Sequence, residues 1–139
     1  MKILIYYVGK PRDPHANGMA EEFVLRTTRY ARCEMREIDP ARFDPWAKHP
    51  SASKILLDPE GKAMDSPRFA KLVSKAEQEA RDLLFLIGGA TGLPAAWKAK
   101  EGQMLSLSAM TMPHELARVV LVEQIYRAFT LLRGHPYPK

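Results

Sequence analysis

The sequence predicts an α/β domain with a mostly parallel sheet and helices on both faces. Three observations carry this expectation. Apolar runs of strand length alternate with segments of helical spacing along the chain. Leu83-Leu84-Phe85-Leu86-Ile87 is apolar at every position, the pattern of a strand buried on both faces as in a parallel sheet. That run leads directly into Gly88, Gly89 and Gly92, a turn beyond the carboxyl end of a strand, where open α/β sheets bind ligands.

Each element has its own justification. Lys2 to Val8 is β-branched and aromatic and predicts a strand, ended by Gly9-Lys10-Pro11. Asp13-Pro14-His15 predicts a loop. Asn17 to Ala31 has helical spacing, with Met19, Phe23 and Tyr30 toward the core and Glu21, Glu22, Arg26 and Arg29 toward water. Cys33 to Ile38 predicts a strand. Asp39 to Ser53 carries Pro40, Pro45 and Pro50 with little periodicity and predicts a loop. Lys54 to Asp58 predicts a strand closed by Pro59-Glu60-Gly61. Ser66 is expected to cap a helix with Pro67 in its first position. That helix runs to about Arg81 and buries Phe69, Leu72, Val73 and Ala76. After the Leu83–Ile87 strand come a short helix from Pro94 to Lys100, a strand from Leu105 to Met110, and a long helix from Pro113 to about Arg133. One domain spans residues 1–139, with no repeat or linker.

The last helix is apolar on nearly every side, with Val119, Val120, Leu121, Val122, Ile125 and Phe129 among its residues. Such a helix must be covered on more than one side. A sheet covers one side, so the other is expected to meet a second subunit in a two-fold homodimer.

Composition narrows the function classes. The chain has 139 residues, 46% hydrophobic and 27% charged, in the range of globular domains. No run of about 18 apolar residues occurs, so no transmembrane helix is expected. The N-terminus lacks a secretory pattern, and the lone Cys33 forms no internal disulfide; both fit a reducing cytoplasm. With 21 Lys and Arg against 16 Asp and Glu, the net charge is +5, which suits a polyanionic partner and equally an ordinary basic protein. No Cys or His cluster has metal-ligand spacing, so no metal is expected.

Beyond composition, several segments together resemble a known family. Leu86-IGGATGL, Leu105-SLSAMTMPHELARVVLVEQIYRAF, the tail Gly134-HPYPK, the opening MKILIYYVGK and ILLDPEGKAMDSPRFA are similar to the large-subunit ribosomal RNA methyltransferase H family of the SPOUT class. The resemblance covers nearly the whole chain. It implies a trefoil-knotted SPOUT fold, S-adenosylmethionine as methyl donor, an active homodimer, and methylation of N3 of a pseudouridine in 23S rRNA within the assembled ribosome. It implies a donor site made by Leu57, by Gly88 with Gly89, and by Leu107, Ser108, Ala109, Met110, Thr111 and Met112. From residue type alone, Leu57, Leu107 and Met112 are equally core residues, and the two glycines equally a plain turn.

A proton must leave the imide nitrogen, so a general base is needed within hydrogen-bond reach. His114 is the first candidate, beside the donor loop at the amino end of the last helix; a capping or dimer contact is its other reading. Glu123 is the second, although its spacing to Arg127 also suits a surface ion pair. Tyr137 is a candidate base-stacking residue, with His135, Lys139, Arg118 and Arg127 as phosphate contacts. Two departures from the family pattern stand out: Pro138 occupies the position of a usual His, and the Asp39–Lys54 segment is short. A third is Ala90-Thr91, where Pro and an acidic or polar residue are common. A ribosome-binding protein without turnover and a transfer-RNA methyltransferase are the competing readings.

Overall fold

The computed structural model describes residues 1–100 and 102–138. Its elements are β1 (Lys2–Val8), α1 (Pro14–Thr27), β2 (Arg32–Ile38), α2 (Pro45–Lys48), β3 (Ser53–Ala63), α3 (Ser66–Gln78), β4 (Leu83–Ile87), α4 (Ala95–Lys98), β5 (Gln103–Ser106) and α5 (His114–Arg133). The strands form one parallel sheet in the order β2-β1-β4-β3-β5. β4 lies near the centre, and all five of its side chains are buried, as its uninterrupted apolar run requires.

Alternation along the strands divides the core into two layers. Ile3, Ile5, Ile55, Phe85 and Leu105 face α1, α3 and α5. Leu4, Tyr6, Leu56, Leu84 and Leu86 face the opposite way, toward Trp97 of α4 and Trp46 of α2. Helices therefore occupy both faces as expected, but unequally: three long ones on one side, two single turns and their loops on the other.

Three helices begin with one chemical device. Asp13 accepts from His15 N and Ala16 N, Asp44 from Trp46 N, and Asp65 from Arg68 N, each with a proline in the first turn. The carboxylate satisfies an orphan N–H, and proline has none to satisfy. This corrects three expectations. α1 starts at Pro14, a helical turn sits inside the expected 39–53 loop, and Asp65 caps α3 in place of Ser66. The Ser66 hydroxyl instead donates to Gln124 Oε1 at 2.6 Å, joining α3 to α5. Met19, expected in the core, is 56% exposed.

Two strand boundaries also differ. β3 does not stop at Pro59: Leu57 and Lys62 both fall in register with Leu105, so residues 58–61 bulge out and the strand resumes. Gly61 sits there because a Cβ would lie 2.6 Å from Leu105 N. β5 ends at Ser106, and the residues expected to extend it form a loop.

α5 lies over the sheet with α1 and α3 packed against it. Beyond the sheet, α1 and α3 thus cover further sides of this apolar helix. Leu116 and Leu131, toward the two ends of α5, stay 48% and 50% exposed.

Candidate active site

Beyond the carboxyl ends of β3, β4 and β5 lies a cleft of about 290 Å³. Three segments wall it: residues 57–59 of β3, the glycine turn after β4, and the loop between β5 and α5. Of the residues expected to hold the donor, Leu57, Gly88, Gly89, Leu107, Ser108, Met110, Thr111 and Met112 all line it. Ala109 does not; it is exposed.

The glycine turn is built by close backbone approach. A Cβ on Gly88 would sit 2.5 Å from the Gly92 carbonyl carbon. Gly92 has φ +79° and donates its N–H to the Gly89 carbonyl oxygen at 3.0 Å. A side chain at Gly88 would push the turn apart, and one at Gly92 would strain it. Across the cleft, the Ser106 hydroxyl donates to the Ser108 carbonyl oxygen at 3.0 Å and Met110 N donates to Ser108 Oγ at 2.9 Å. Two serines thereby fold the 106–110 stretch into a fixed turn that ends the strand.

His114 lines the cleft as the first residue of α5. Pro113 stands at the cap and supplies no side-chain hydrogen bond, so the first N–H groups of the helix have no side-chain cap. Glu115, the next residue, turns away. Its Oε1 accepts Arg12 N at 2.8 Å and Asp13 N at 3.1 Å, tying α5 to the β1–α1 loop. Those two backbone hydrogen bonds hold its carboxyl below the usual range.

Two cleft residues escaped the sequence reading. Asp58 and Lys98 face each other with Nζ 2.8 Å from Oδ2. The Lys98 hydrogen bond, and then the Glu60 backbone N–H, lower the Asp58 pKa, and Asp58 raises that of Lys98. The sequence signal was the acid directly after Leu57; nothing along the chain tied it to a lysine forty residues away.

The other expected site residues lie elsewhere. Glu123, nine residues past His114 on α5, is about 13 Å along the axis and on the opposite side of the helix. It does not line the cleft. Its carboxylate accepts from Arg127 Nη2 at 2.8 Å, Gln124 Nε2 at 3.0 Å and the Tyr137 hydroxyl at 2.6 Å. That corrects the catalytic reading of Glu123 within one chain: its lone pairs are spent on structure. Arg127 is engaged in the same cluster. The Tyr137 ring packs on Tyr126 with centroids 4.8 Å apart, and so is not a free stacking face. The tail turns at Gly134, with φ +68°, and His135 Nδ1 accepts the Tyr137 backbone N–H at 3.1 Å.

Arg118 requires the plainest correction. Its side chain is 2% exposed, with its guanidinium carbon 3.9 Å from the Tyr7 ring centroid and Nη1 donating to Asn17 Oδ1 at 3.1 Å. Burial removes it as a phosphate contact; it fastens α5 to β1 and α1. Lys139 lies outside the described residues. Among the described residues, no group of His, Cys, Asp or Glu is arranged to hold a metal ion, and no helix is long and apolar enough to cross a membrane.

Comparison with known proteins decides the family. A family model described as "Predicted SPOUT methyltransferase" matches residues 1–138. Ribosomal RNA large subunit methyltransferase H of Solibacter usitatus is 63% identical over 137 residues, 99% of each chain. The Sorangium cellulosum protein of the same name is 41% identical over 143 residues, again 99% of each. The chain belongs to the SPOUT methyltransferases, in the ribosomal RNA large subunit methyltransferase H family. Solved structures agree on the SPOUT methyltransferase fold at low identity. A probable methylase family protein from Haemophilus influenzae superposes with TM-score 0.59 at 10% identity, covering 99% of this chain and 70% of that one. An AdoMet-bound rRNA methyltransferase from Sinorhizobium meliloti gives TM-score 0.51 at 12% identity, covering 91% and 55%. In this SPOUT methyltransferase the glycine turn and the 107–112 loop are thus the two conspicuous features of a cleft at the sheet's carboxyl edge.

Proposed function

We propose that this methyltransferase transfers the methyl group of S-adenosylmethionine to N3 of a pseudouridine in 23S rRNA on the assembled ribosome. The observation that supports the reading is the convergence of three chain segments, each expected to hold the donor, on one cleft with His114 at its edge. The cleft suits the group. Leu57, Leu107 and Met112 offer apolar walls for an adenine, the glycine turn exposes backbone without side chains, and a charged pair is available for charged atoms.

S-adenosylmethionine supplies a methyl on a sulfonium. In the transfer the S–CH3 bond breaks, the N3–CH3 bond forms, S-adenosylhomocysteine leaves, and the N3 proton goes to a base. The protein contributes position and exclusion of water. His114 is the base in this reading: it stands at the cleft with an imidazole able to accept one proton. Domain 1–139 acts as a unit in the cytoplasm, with the trefoil knot that family membership implies. A homodimer through α5 accords with the exposed Leu116 and Leu131, and sedimentation of the wild type and Leu116→Asp tests it.

The deciding experiment is transfer of labelled methyl from S-adenosylmethionine to ribosomes from cells lacking this protein. The expected result is one methyl in 23S rRNA, lost with His114→Ala at unchanged donor affinity. Labelling of bulk transfer RNA instead, or donor binding without transfer to ribosomes, overturns the acceptor. Full transfer by His114→Ala removes the base and keeps the enzyme.

A further inference from the structure

The ion pair on the cleft wall is left without a role by the residues described so far. Asp58 is 8% exposed at its side chain and Lys98 40%. Only Asp58 is withdrawn from water, and an ion pair with one partner in solvent contributes little to stability. Among the described residues, His114 is the only other titratable side chain lining the cleft. Everything else along its walls is apolar, a hydroxyl or backbone.

We propose that Asp58 and Lys98 receive the amino-acid end of the methyl donor, Lys98 taking its α-carboxylate and Asp58 its α-ammonium. This rests on the donor reading of the cleft given above. Such a donor carries two opposite charges on one carbon, and the complement is an adjacent anion and cation. The cleft has one such pair. Both partners have capacity left: an ammonium has three donors, of which Asp58 uses one, and a carboxylate has about four acceptor positions, of which Glu60 N and Lys98 use two. The four charges would then alternate in sign around a small ring, each meeting its opposite.

The pair also comes from two different walls. Asp58 opens the β3 bulge and closes it on itself through Glu60 N at 2.8 Å. Lys98 ends α4, reached through the glycine turn. A ligand that engages both holds the two walls at one spacing, so recognition of its amino-acid end and the shape of the adenosine slot are linked. Asp58 and Lys98 are therefore specificity residues: they distinguish a complete donor from its nucleoside fragments.

The test pairs ligand truncation with side-chain truncation. Binding of S-adenosylmethionine, its decarboxylated analogue and 5′-methylthioadenosine is measured calorimetrically on wild type, Lys98→Met and Asp58→Asn, with thermal melts of each. Lys98→Met is expected to weaken S-adenosylmethionine about ten- to a hundred-fold, the worth of a hydrogen-bonded charge, and to leave both truncated ligands unchanged. Asp58→Asn is expected to weaken S-adenosylmethionine and the decarboxylated analogue, which keeps its ammonium, and to spare 5′-methylthioadenosine. Equal losses for all three ligands would make the pair a structural clasp and overturn the inference, as would no loss for any. If Asp58→Asn does not fold, the Lys98→Met row alone decides. Wild type that binds none of the three would sink the donor reading itself, a result distinct from wild type that binds them without discrimination.

Discussion

The Tyr137 hydroxyl donates to Glu123 Oε2 at 2.6 Å, and this bond folds the C-terminal tail back along α5. Arg127 holds the same carboxylate, and its guanidinium carbon lies 5.3 Å from the Tyr137 ring centroid. Burial, and then the Glu123 hydrogen bond and charge, push the Tyr137 pKa up to about 12. The fold thus favours the protonated phenol. Its contribution is complete below the ordinary tyrosine pKa of 10.0 and is lost as pH climbs from there toward 12. Tyr137→Phe should cost about 1 kcal/mol in urea unfolding and delete a tyrosinate transition near 12 from the ultraviolet titration. Loss of a transition near 10.0 in place of one near 12 would mean that the tail stands free in solution.

Glycines at the cleft make a second prediction with a built-in control. Gly61→Ala puts a methyl 2.6 Å from the backbone of Met104 and Leu105, so β5 must move. Gly88→Ala meets the Gly92 backbone at 2.5 Å. Backbone cannot swing aside as a side-chain tip can, so each change should cost about 1–3 kcal/mol and weaken donor binding, because each displaces a cleft wall. Gly18→Ala has nothing within 4 Å and sits inside α1. It should raise stability by about 0.5–1 kcal/mol and leave donor binding alone. Thermal melts and calorimetry on the three variants check this.

Arg118 separates stability from RNA contact. Its guanidinium is buried against Tyr7 and Asn17. Arg118→Ala removes the guanidinium packed on Tyr7, with its hydrogen bond to Asn17, and empties a packed site, a loss of about 3 kcal/mol. The slope of log affinity for RNA against log salt should not change, since a phosphate contact would alter it by about 1. A shallower slope in Arg118→Ala would return this residue to the RNA surface.

Much of this was legible in the sequence, for reasons that can be named. β4 was unmistakable because every one of its positions is apolar, and the turn after it because only glycine tolerates the approach of Gly92 to Gly88. The cleft residues Leu57 and 107–112 followed from family resemblance, not from their own chemistry; alone, Leu57 is indistinguishable from core. The Asp-Pro pairs at Asp13 and Asp44 announce helix starts, but a proline beside an aspartate reads equally as a loop breaker and as a first-turn residue. Arg118, Glu123 and Tyr137 were misplaced for one physical reason. A charged or aromatic residue is judged from sequence by what it offers to solvent, whereas its partners here are 101 residues away in the case of Asn17 and 14 in the case of Tyr137 and Glu123. Asp58 and Lys98 escape a reading along the chain likewise, since only the fold brings β3 and α4 together across the cleft.

Cys33 supplies the last prediction. It lies in β2, the edge strand, yet its side chain points into the layer shared with Ile3, Ile5 and the long helices. Burial first, and the Glu34 charge second, push the thiol from 9.0 up to about 12. Only the thiolate reacts with an alkylating reagent, so at pH 8.5 iodoacetamide should label native Cys33 on the order of a thousandfold more slowly than the unfolded chain. The fold favours the protonated thiol, so its contribution to stability is full below 9.0 and fades as pH rises toward 12. Labelling followed by mass spectrometry across a urea series should therefore track global unfolding. Rapid labelling in the absence of urea would mean that this half-buried thiol is reached without global unfolding, by a local opening of the edge strand β2.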